Sequence, residues 1–186
     1  MNRVLVIGDS WASEVVAGLG DRQGWSYMLG IPDEMRQGVA GSTAAQWAAD
    51  FEGRLTKAAQ TPADVVILSL LGNDAFAALA DGVATPQEII AGVAALRHVI
   101  ETVRKPRTIV MLYADPFCGS DIRKAIACSL LNVAIVTAIP GGVEILDLRT
   151  VLGPQHFDGV DIHPTRAGHE AIAAAVEAAV RGAVKP

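Results

Sequence analysis

The chain has 186 residues, of which 51% are hydrophobic and 19% charged, and its formal net charge is −5. This composition excludes an intrinsically disordered protein, which has few apolar residues and many charges, and the length predicts a single domain over residues 1–186. No run of basic residues occurs, so nucleic acid is not an expected partner.

Five apolar runs predict the strands of a sheet. The clearest is residues 3–7, where Val4 to Ile7 are continuously hydrophobic, as in a strand that is covered on both faces. Three further runs of this kind lie at residues 65–71, 108–113 and 143–148, and a weaker one lies near residues 35–40.

Longer segments with helical periodicity lie between these runs. The best defined begins at Thr85, a capping residue that is followed by Pro86 and, three positions on, by Glu88; it should end before Pro106. The other predicted helices span residues 11–19, 43–59, 121–138 and 165–184. The uncharged stretch 125–143 is close to membrane-spanning length, but polar and turn-forming residues interrupt it. We interpret it as a buried helix, a turn and the start of a strand rather than a membrane span.

Strands that alternate with helices of this length predict parallel βαβ units. We therefore expect an α/β fold in which helices cover both faces of a five-stranded parallel sheet. Ligands of such sheets bind beyond the carboxyl ends of the strands. Small polar or glycine-bearing turns follow every predicted strand, at residues 8–10, 41–43, 72–74, 115–116 and 158–164.

These turns contain the components of a serine hydrolase. Ser10 follows a buried strand and precedes a helix, where its hydroxyl can be exposed and the helix start favours developing negative charge. A serine needs a base to become a nucleophile, and His163, which Pro164 restricts to an extended conformation, is the candidate base. Gly41 and Asn73 could direct N–H groups at an oxyanion. Taken singly, Ser10 also fits a helix cap, and Gly41 and Asn73 fit ordinary turns.

In this order and at these strand ends, the four residues resemble those that define the SGNH hydrolases, also called GDSL esterases and lipases. The matching segments are residues 8–10, 38–43, 72–74 and 163–164, so the resemblance runs from residue 4 to about residue 175. It implies a three-layer, flavodoxin-like fold with Ser10 as nucleophile and His163 as base. It also implies an oxyanion hole formed by the backbone of Ser10 and Gly41, with Gly38 as the second candidate glycine, and by the amide of Asn73.

The acid that would orient His163 departs from the family pattern. SGNH hydrolases usually carry an aspartate three residues before the histidine, and that position is Val160 here. Asp161, two residues before His163, is our first choice for the acid. Asp158, five residues before, is the alternative, and a backbone carbonyl that orients a Ser–His dyad is a third option.

Two further positions differ from the family. Trp11 follows the serine where the family usually has leucine, and we expect it to pack under the loop rather than line the acyl site. Arg36 stands where the family often has asparagine. We expect it at the surface, with a contact to a substrate anion as the alternative.

The resemblance implies a serine esterase that hydrolyses short-acyl carboxylic esters through an acyl-enzyme, with a small-molecule ester as its partner. The loops after the second to fourth strands are short, which favours an open site and a short acyl group. An acyltransferase with the same residues and a non-catalytic domain that binds a small ligand are the alternatives.

The remaining expectations concern cofactors and location. No metal-ligand cluster, phosphate loop or dinucleotide fingerprint occurs, so neither a metal nor a cofactor is expected. Cys118 and Cys128 are expected to be small buried hydrophobes. The amino terminus lacks the long apolar core of a signal peptide, which predicts a cytoplasmic protein. The sequence makes no prediction of the oligomeric state.

Overall fold

A parallel sheet forms the centre of the protein. The computed structural model describes residues 2–20, 22–74, 86–115 and 122–182. In this part of the chain the strands are β1 (Val4–Gly8), β2 (Val65–Ser69), β3 (Arg107–Leu112) and β4 (Glu144–Asp147). They are all parallel and lie in the order β1-β2-β3-β4.

The continuous apolar runs become strands that are buried on both faces. All five residues of β2 are buried, and so are the last four of β1 and the last five of β3. Side chains of a strand point alternately to opposite faces, so burial of consecutive residues requires cover on both sides of the sheet. The strand β4 is different, because Glu144 and Ile145 are exposed at the edge of the sheet.

The prediction of five strands is wrong for the described residues, since the weak run near residues 35–40 does not form a full strand. Arg36 makes one isolated parallel bridge with Val6. The backbone N–H of Gln37 donates to the carbonyl of Val6 at 2.8 Å, and that of Val39 to Gly8 at 2.9 Å. A short 3₁₀ helix (Asp33–Met35) precedes this stretch and a turn follows it, so the extended backbone is too short for a longer ladder.

The α-helices with both ends in the described part of the chain are α1 (Ser10–Ser13), α2 (Trp25–Met28), α3 (Ala44–Ala48), α4 (Arg54–Gln60), α5 (Pro86–Val103), α6 (Ile122–Ala138) and α7 (Arg166–Val180). Residues 72–74 are also helical. Helices α5, α6 and α7 match their predictions closely, and α5 ends before Pro106 as expected. Thr85, its predicted cap, lies outside the described residues.

Two predicted helices are shorter than expected. The helix predicted over residues 11–19 ends at Ser13, because Glu14 adopts a left-handed conformation with φ +68°. The helix predicted over residues 43–59 divides into α3 and α4, because Asp50 and Glu52 have positive φ values and a 3₁₀ turn (Phe51–Gly53) intervenes. Apolar periodicity runs through both breaks, so it could not reveal them.

The helices pack in two groups. Helices α3 and α4 pack against α5, α5 packs against α6, and α2 packs against α7. Helix α6 buries Leu131 and Ile135 but exposes Leu130 and Val133, so the prediction of a buried helix there is only half correct. None of the described helices is long and apolar enough to cross a membrane.

Cys128 lies on the covered side of α6 and is buried as expected. Burial raises the pKa of its thiol to about 11, which keeps it protonated at neutral pH. Cys118 lies outside the described residues.

Candidate active site

Ser10 is placed by a tight connection between β1 and α1. Gly8 has φ +140°, and a Cβ there would lie only 1.9 Å from the carbonyl oxygen of Ser69 on β2, so only glycine fits. The next N–H, from Asp9, donates to that same carbonyl at 2.8 Å. The side chain of Asp9 then caps α1 by accepting the N–H of Trp11 at 3.0 Å. Ser10 therefore becomes the first helical residue, beyond the carboxyl end of β1.

A buried hydrogen-bond network lies beside Ser10. The hydroxyl of Tyr113, just after β3, donates to Oδ2 of Asp9. The Oγ of Ser69 lies 3.2 Å from Oδ1 of Asp9 and 3.0 Å from the Tyr113 hydroxyl. Burial raises the pKa of Asp9 to about 6, although these hydrogen bonds oppose the shift, and burial also raises the pKa of Tyr113 well above its usual value.

The segment that carries Gly41 is held against β1. The Oγ of Ser42 lies 3.1 Å from the carbonyl oxygen of Gly8 and 2.8 Å from that of Val39, and it accepts the indole N–H of Trp47 at 3.0 Å. Gly41 itself has φ +77°, and a Cβ there would contact nothing within 4 Å. A side chain at Gly41 would thus be strained but would not clash with any neighbour. Because nothing packs against this side of Gly41, its backbone is open to a ligand.

Gly38 serves a different purpose from Gly41. A Cβ on Gly38 would lie 2.3 Å from the backbone carbonyl carbon of Ala12 and 2.3 Å from the N of Ser13. Gly38 is therefore the position at which this segment touches α1. Of the two glycines named from the sequence, Gly41 is the one whose surroundings are open.

Asn73 joins the third turn to the second. Its Nδ2 donates to the carbonyl oxygen of Ser42 at 2.9 Å. The neighbouring Asp74 accepts the N–H of Ala44 at 2.8 Å, at the start of α3. Gly72 lies against the first turn, since a Cβ there would be 2.9 Å from Oδ2 of Asp9. These contacts bring the turns that carry Ser10, Gly41 and Asn73 together.

One ring nitrogen of His163 contacts a carboxylate, and the other has no hydrogen-bond partner. Its Nδ1 lies 2.6 Å from Oδ1 of Asp161. Its Nε2 is buried and makes no hydrogen bond, so the Ser10 hydroxyl is not bonded to it in this structure. Hydrogen bonds of catalytic groups are often long without substrate and tighten when it binds.

Asp158, the alternative acid, has another role in the same loop. Its Oδ1 accepts the N–H groups of Val160 at 2.9 Å and of Asp161 at 2.8 Å. These two bonds hold the pKa of the exposed Asp158 below its usual range. Asp158 thereby orders the turn that presents Asp161 to His163.

Aromatic packing connects the His163 loop to the serine turn. The ring of Trp11 is buried, with its centroid 5.2 Å from that of Tyr113 and 6.2 Å from that of Phe157. The N–H of Ala17 also donates to the carbonyl of Pro164 at 3.1 Å. Trp11 packs as expected, beneath the chain that leads to His163.

Arg36 is not the surface residue that we expected. Its side chain is 11% exposed, its guanidinium pairs with Asp33, and Nη1 donates to the carbonyl of Ile31 at 2.7 Å. The Cζ atom also lies 3.4 Å from the centre of the Tyr27 ring. These contacts hold Arg36 between the turn after α2 and the edge of β1.

The other histidines in and near this region make structural contacts. The Nδ1 of His169 accepts the N–H of Trp25 at 3.3 Å, and Nε2 faces the carbonyl of Val15 at 3.0 Å, which requires a neutral ring. Burial lowers the pKa of His169 to about 4. The Nδ1 of His156 accepts the N–H of Gly153 at 2.9 Å.

Sequence analysis missed Tyr113 and Ser69. Both are polar residues at the carboxyl ends of strands, where active-site groups collect, so their positions were a usable signal. What the sequence did not show is that both hydroxyls converge on Asp9, because residues 9, 69 and 113 are adjacent only after β1, β2 and β3 pair.

Residues 6–171 match the model of the GDSL-like Lipase/Acylhydrolase family. None of the curated proteins compared with the chain matches it.

Several solved structures share the fold. Axe2, an acetylxylan esterase from Geobacillus stearothermophilus, is 18% identical with a TM-score of 0.65, over 94% of this chain and 92% of Axe2. LAE5, described as an alpha/beta hydrolase enzyme from the metagenome of Lake Arreo in Spain, is 19% identical with a TM-score of 0.65, over 100% of this chain and 97% of LAE5. Catalytic mutants of Axe2 in which a serine, a histidine or an aspartate is replaced by alanine are also among the similar structures.

Proposed function

Because the chain belongs to the GDSL-like lipase and acylhydrolase family, we propose that it is a serine esterase that hydrolyses short-acyl carboxylic esters through an acyl-enzyme. The observation that carries this proposal is the state of His163. One ring nitrogen is held by Asp161 at 2.6 Å, while the other is buried and has no hydrogen-bond partner. A buried polar atom without a partner is costly, and a base that awaits a proton from the nucleophile accounts for it.

The proposed reaction has two steps. As the Oγ of Ser10 attacks the ester carbonyl, Nε2 of His163 accepts the hydroxyl proton, and it then gives this proton to the departing alkoxide as the acyl-enzyme forms. In the second step His163 takes a proton from water, which attacks the acyl carbon. His163 then returns this proton to the Oγ of Ser10 as the bond to the acyl group breaks and the acid leaves. Asp161 keeps the imidazole in the tautomer whose Nε2 can accept a proton.

The oxyanion is held by the backbone N–H groups of Ser10 and Gly41 and by the amide of Asn73. Two features support this assignment. The N–H of Ser10 lies at the first residue of α1, where helix N–H groups have no partner within the helix. The Nδ2 of Asn73 carries two hydrogens, and its bond to Ser42 uses only one of them.

The acyl group is proposed to be acetyl or similarly short. The similar solved structures support this choice, since Axe2 is described as an acetylxylan esterase and as an acetyl-xylooligosaccharide esterase. The assignment also implies the three-layer, flavodoxin-like arrangement, with the extended residues 36–39 beside β1 in place of a fifth strand. A cytoplasmic location remains a prediction.

Labelling with a fluorophosphonate tests the proposal without knowledge of the substrate. We expect a single adduct on the peptide that contains Ser10 in the wild-type protein and none in Ser10→Ala. Ser129→Ala, which removes an exposed serine from α6, serves as the matched control and should label like the wild type. A folded wild-type protein that takes no label at Ser10 would favour the non-catalytic binding domain.

A further inference from the structure

A pocket lies beside the turns of the candidate active site. It has a volume of about 270 Å³. On one side it is lined by Ala12 to Glu14, which directly follow the first residues of α1, and on the other by Gly38 to Ala40, which lead into Gly41. The pocket therefore begins within a few residues of both Ser10 and Gly41.

Three arginines from separate parts of the chain line this pocket: Arg22, Arg36 and Arg54. Two carboxylates, Glu14 and Asp33, also line it. The formal charge of the lining is thus about +1, in a chain whose net charge is −5. The convergence of three cations, in a chain that is negatively charged overall, favours the binding of an anion in this pocket.

The five charged groups are not equally available to a ligand. The guanidinium of Arg36 is paired with Asp33 and mostly buried, and that of Arg54 pairs with Glu52 at 3.0 Å. Glu14 is committed to the backbone, since its Oε2 accepts the N–H groups of Ser26 at 3.1 Å and of Tyr27 at 3.2 Å. Burial raises the pKa of Glu14 above its ordinary value.

Arg22 differs from the other two arginines. Its backbone N–H donates to the carbonyl of Ser13 at 3.2 Å, which anchors it to the end of α1. Its side chain makes no ion pair with the described residues. A cation at a concave polar site without a partner can form a charge-assisted hydrogen bond with a ligand at little cost in lost contacts.

We propose that this pocket is a subsite for a carboxylate on the ester substrate, which is held by Arg22, while Arg36 and Arg54 also line the pocket. This inference rests on the proposed esterase function and narrows its substrate class to esters that carry an acid group. A lining charge of about +1 suits a monoanionic carboxylate better than a doubly charged phosphate. The volume is slightly below that of pockets for drug-sized ligands, which suits one sugar or aromatic ring.

Binding is tested first with benzoate and with benzamide, its neutral counterpart. We expect benzoate, but not benzamide, to raise the Tm of the wild-type protein at constant ionic strength. Arg22→Gln should weaken benzoate binding by about tenfold to a hundredfold, the effect of losing one charge-assisted hydrogen bond, whereas Arg22→Lys should retain most of it. Arg97→Gln removes an arginine from an exposed ion pair on α5 and is the matched control.

Kinetic measurements then test whether the pocket binds part of the substrate during the reaction. The ratio of kcat/KM for 4-acetoxybenzoate to that for its methyl ester should fall by a similar factor in Arg22→Gln and stay at the wild-type value in Arg97→Gln. Benzoate that binds no better than benzamide, or a ratio that Arg22→Gln leaves unchanged, would overturn the subsite. Benzoate binding that depends on Arg22 in a protein whose Ser10 takes no fluorophosphonate would instead remove the esterase function and leave an anion-binding pocket.

Discussion

The carboxylate of Asp161 lies 2.6 Å from Nδ1 of His163, although only one residue separates the two in the sequence. Family members usually place the acid one residue earlier, at the position of Val160, which is 87% exposed here and faces away from the interior. One carboxylate oxygen of Asp158 accepts the N–H groups of both Val160 and Asp161. The turn that these two bonds form brings Asp161, rather than residue 160, to His163. The proposed acid, Asp161, and the residue that orders the turn, Asp158, are thus two different residues.

This division of roles predicts different effects for the two aspartates. Asp161→Asn should lower kcat on the order of 10⁴-fold, the loss seen when the acid of a serine triad can no longer select the tautomer of its histidine. Asp158→Asn keeps an oxygen that can accept the two N–H groups and should lose far less. Steady-state kinetics on a short-chain ester compares them, and equal losses would contradict the assignment of Asp161.

Asn73→Ala is predicted to remove one oxyanion donor. The loss should be about 10²–10³-fold in kcat, with KM changed much less, because the interaction forms with the charge of the transition state. The variant also loses its bond to Ser42, which should lower the free energy of unfolding by about 1 kcal/mol. Asn73→Asp keeps the shape but presents no N–H, so it should be as inactive. Full activity in either variant would exclude Asn73 from the oxyanion hole.

Because His169 is buried, we predict that the protein loses stability in acid. The pKa of His169 is about 4 in the folded protein and about 6.5 when unfolded, so between these values the unfolded chain binds the proton more readily. The contribution of His169 to the free energy of unfolding is complete above pH 6.5 and declines towards pH 4, by on the order of 3 kcal/mol.

His169→Gln should remove this part of the pH dependence, at the cost of a lower free energy of unfolding at pH 7. Urea denaturation between pH 4 and 7 measures both effects. His98→Gln, at an exposed position on α5, is the control and should behave as the wild type. A steep acid loss that survives His169→Gln would assign it to other groups.

The ionisation of Asp9 changes the free energy of unfolding in the opposite direction over almost the same pH range. Its folded pKa of about 6 lies above the ordinary 3.8, so the folded protein binds the proton more readily between these values. Its contribution to the free energy of unfolding therefore declines as the pH rises from about 4 to 6, while that of His169 increases. In the wild-type protein the two trends should partly cancel.

The substitution Tyr113→Phe should distinguish the contribution of Asp9 from that of His169. The Tyr113 hydrogen bond lowers the pKa of Asp9, so its removal should raise that pKa further and extend the decline to higher pH. We expect the free energy of unfolding at pH 7 to fall by about 1–3 kcal/mol. Tyr27→Phe, at an exposed tyrosine, should leave the curve unchanged. An unaltered pH profile in Tyr113→Phe would show that Asp9 does not titrate in this range.

The amino-acid sequence by itself determined the parallel α/β architecture and the four turns that carry Ser10, Gly41, Asn73 and His163. Strand runs, helix periodicity and turn residues are local properties, and a parallel sheet then has to bring the carboxyl ends of its strands to one edge. Trp11 and Cys128 were also placed correctly as buried residues, since their size and polarity favour the interior.

Tertiary structure alone decided the features that depend on residues far apart in the chain. The weak strand is only a bridge at Arg36, and the side chain of that arginine is buried against Asp33 and Tyr27. The two predicted helices end or divide where the backbone adopts a left-handed conformation. Tertiary structure also assembled Tyr113 and Ser69 around Asp9. The physical reason is that hydrogen bonds and desolvation act between groups that meet only when the strands pair, so no local pattern records them.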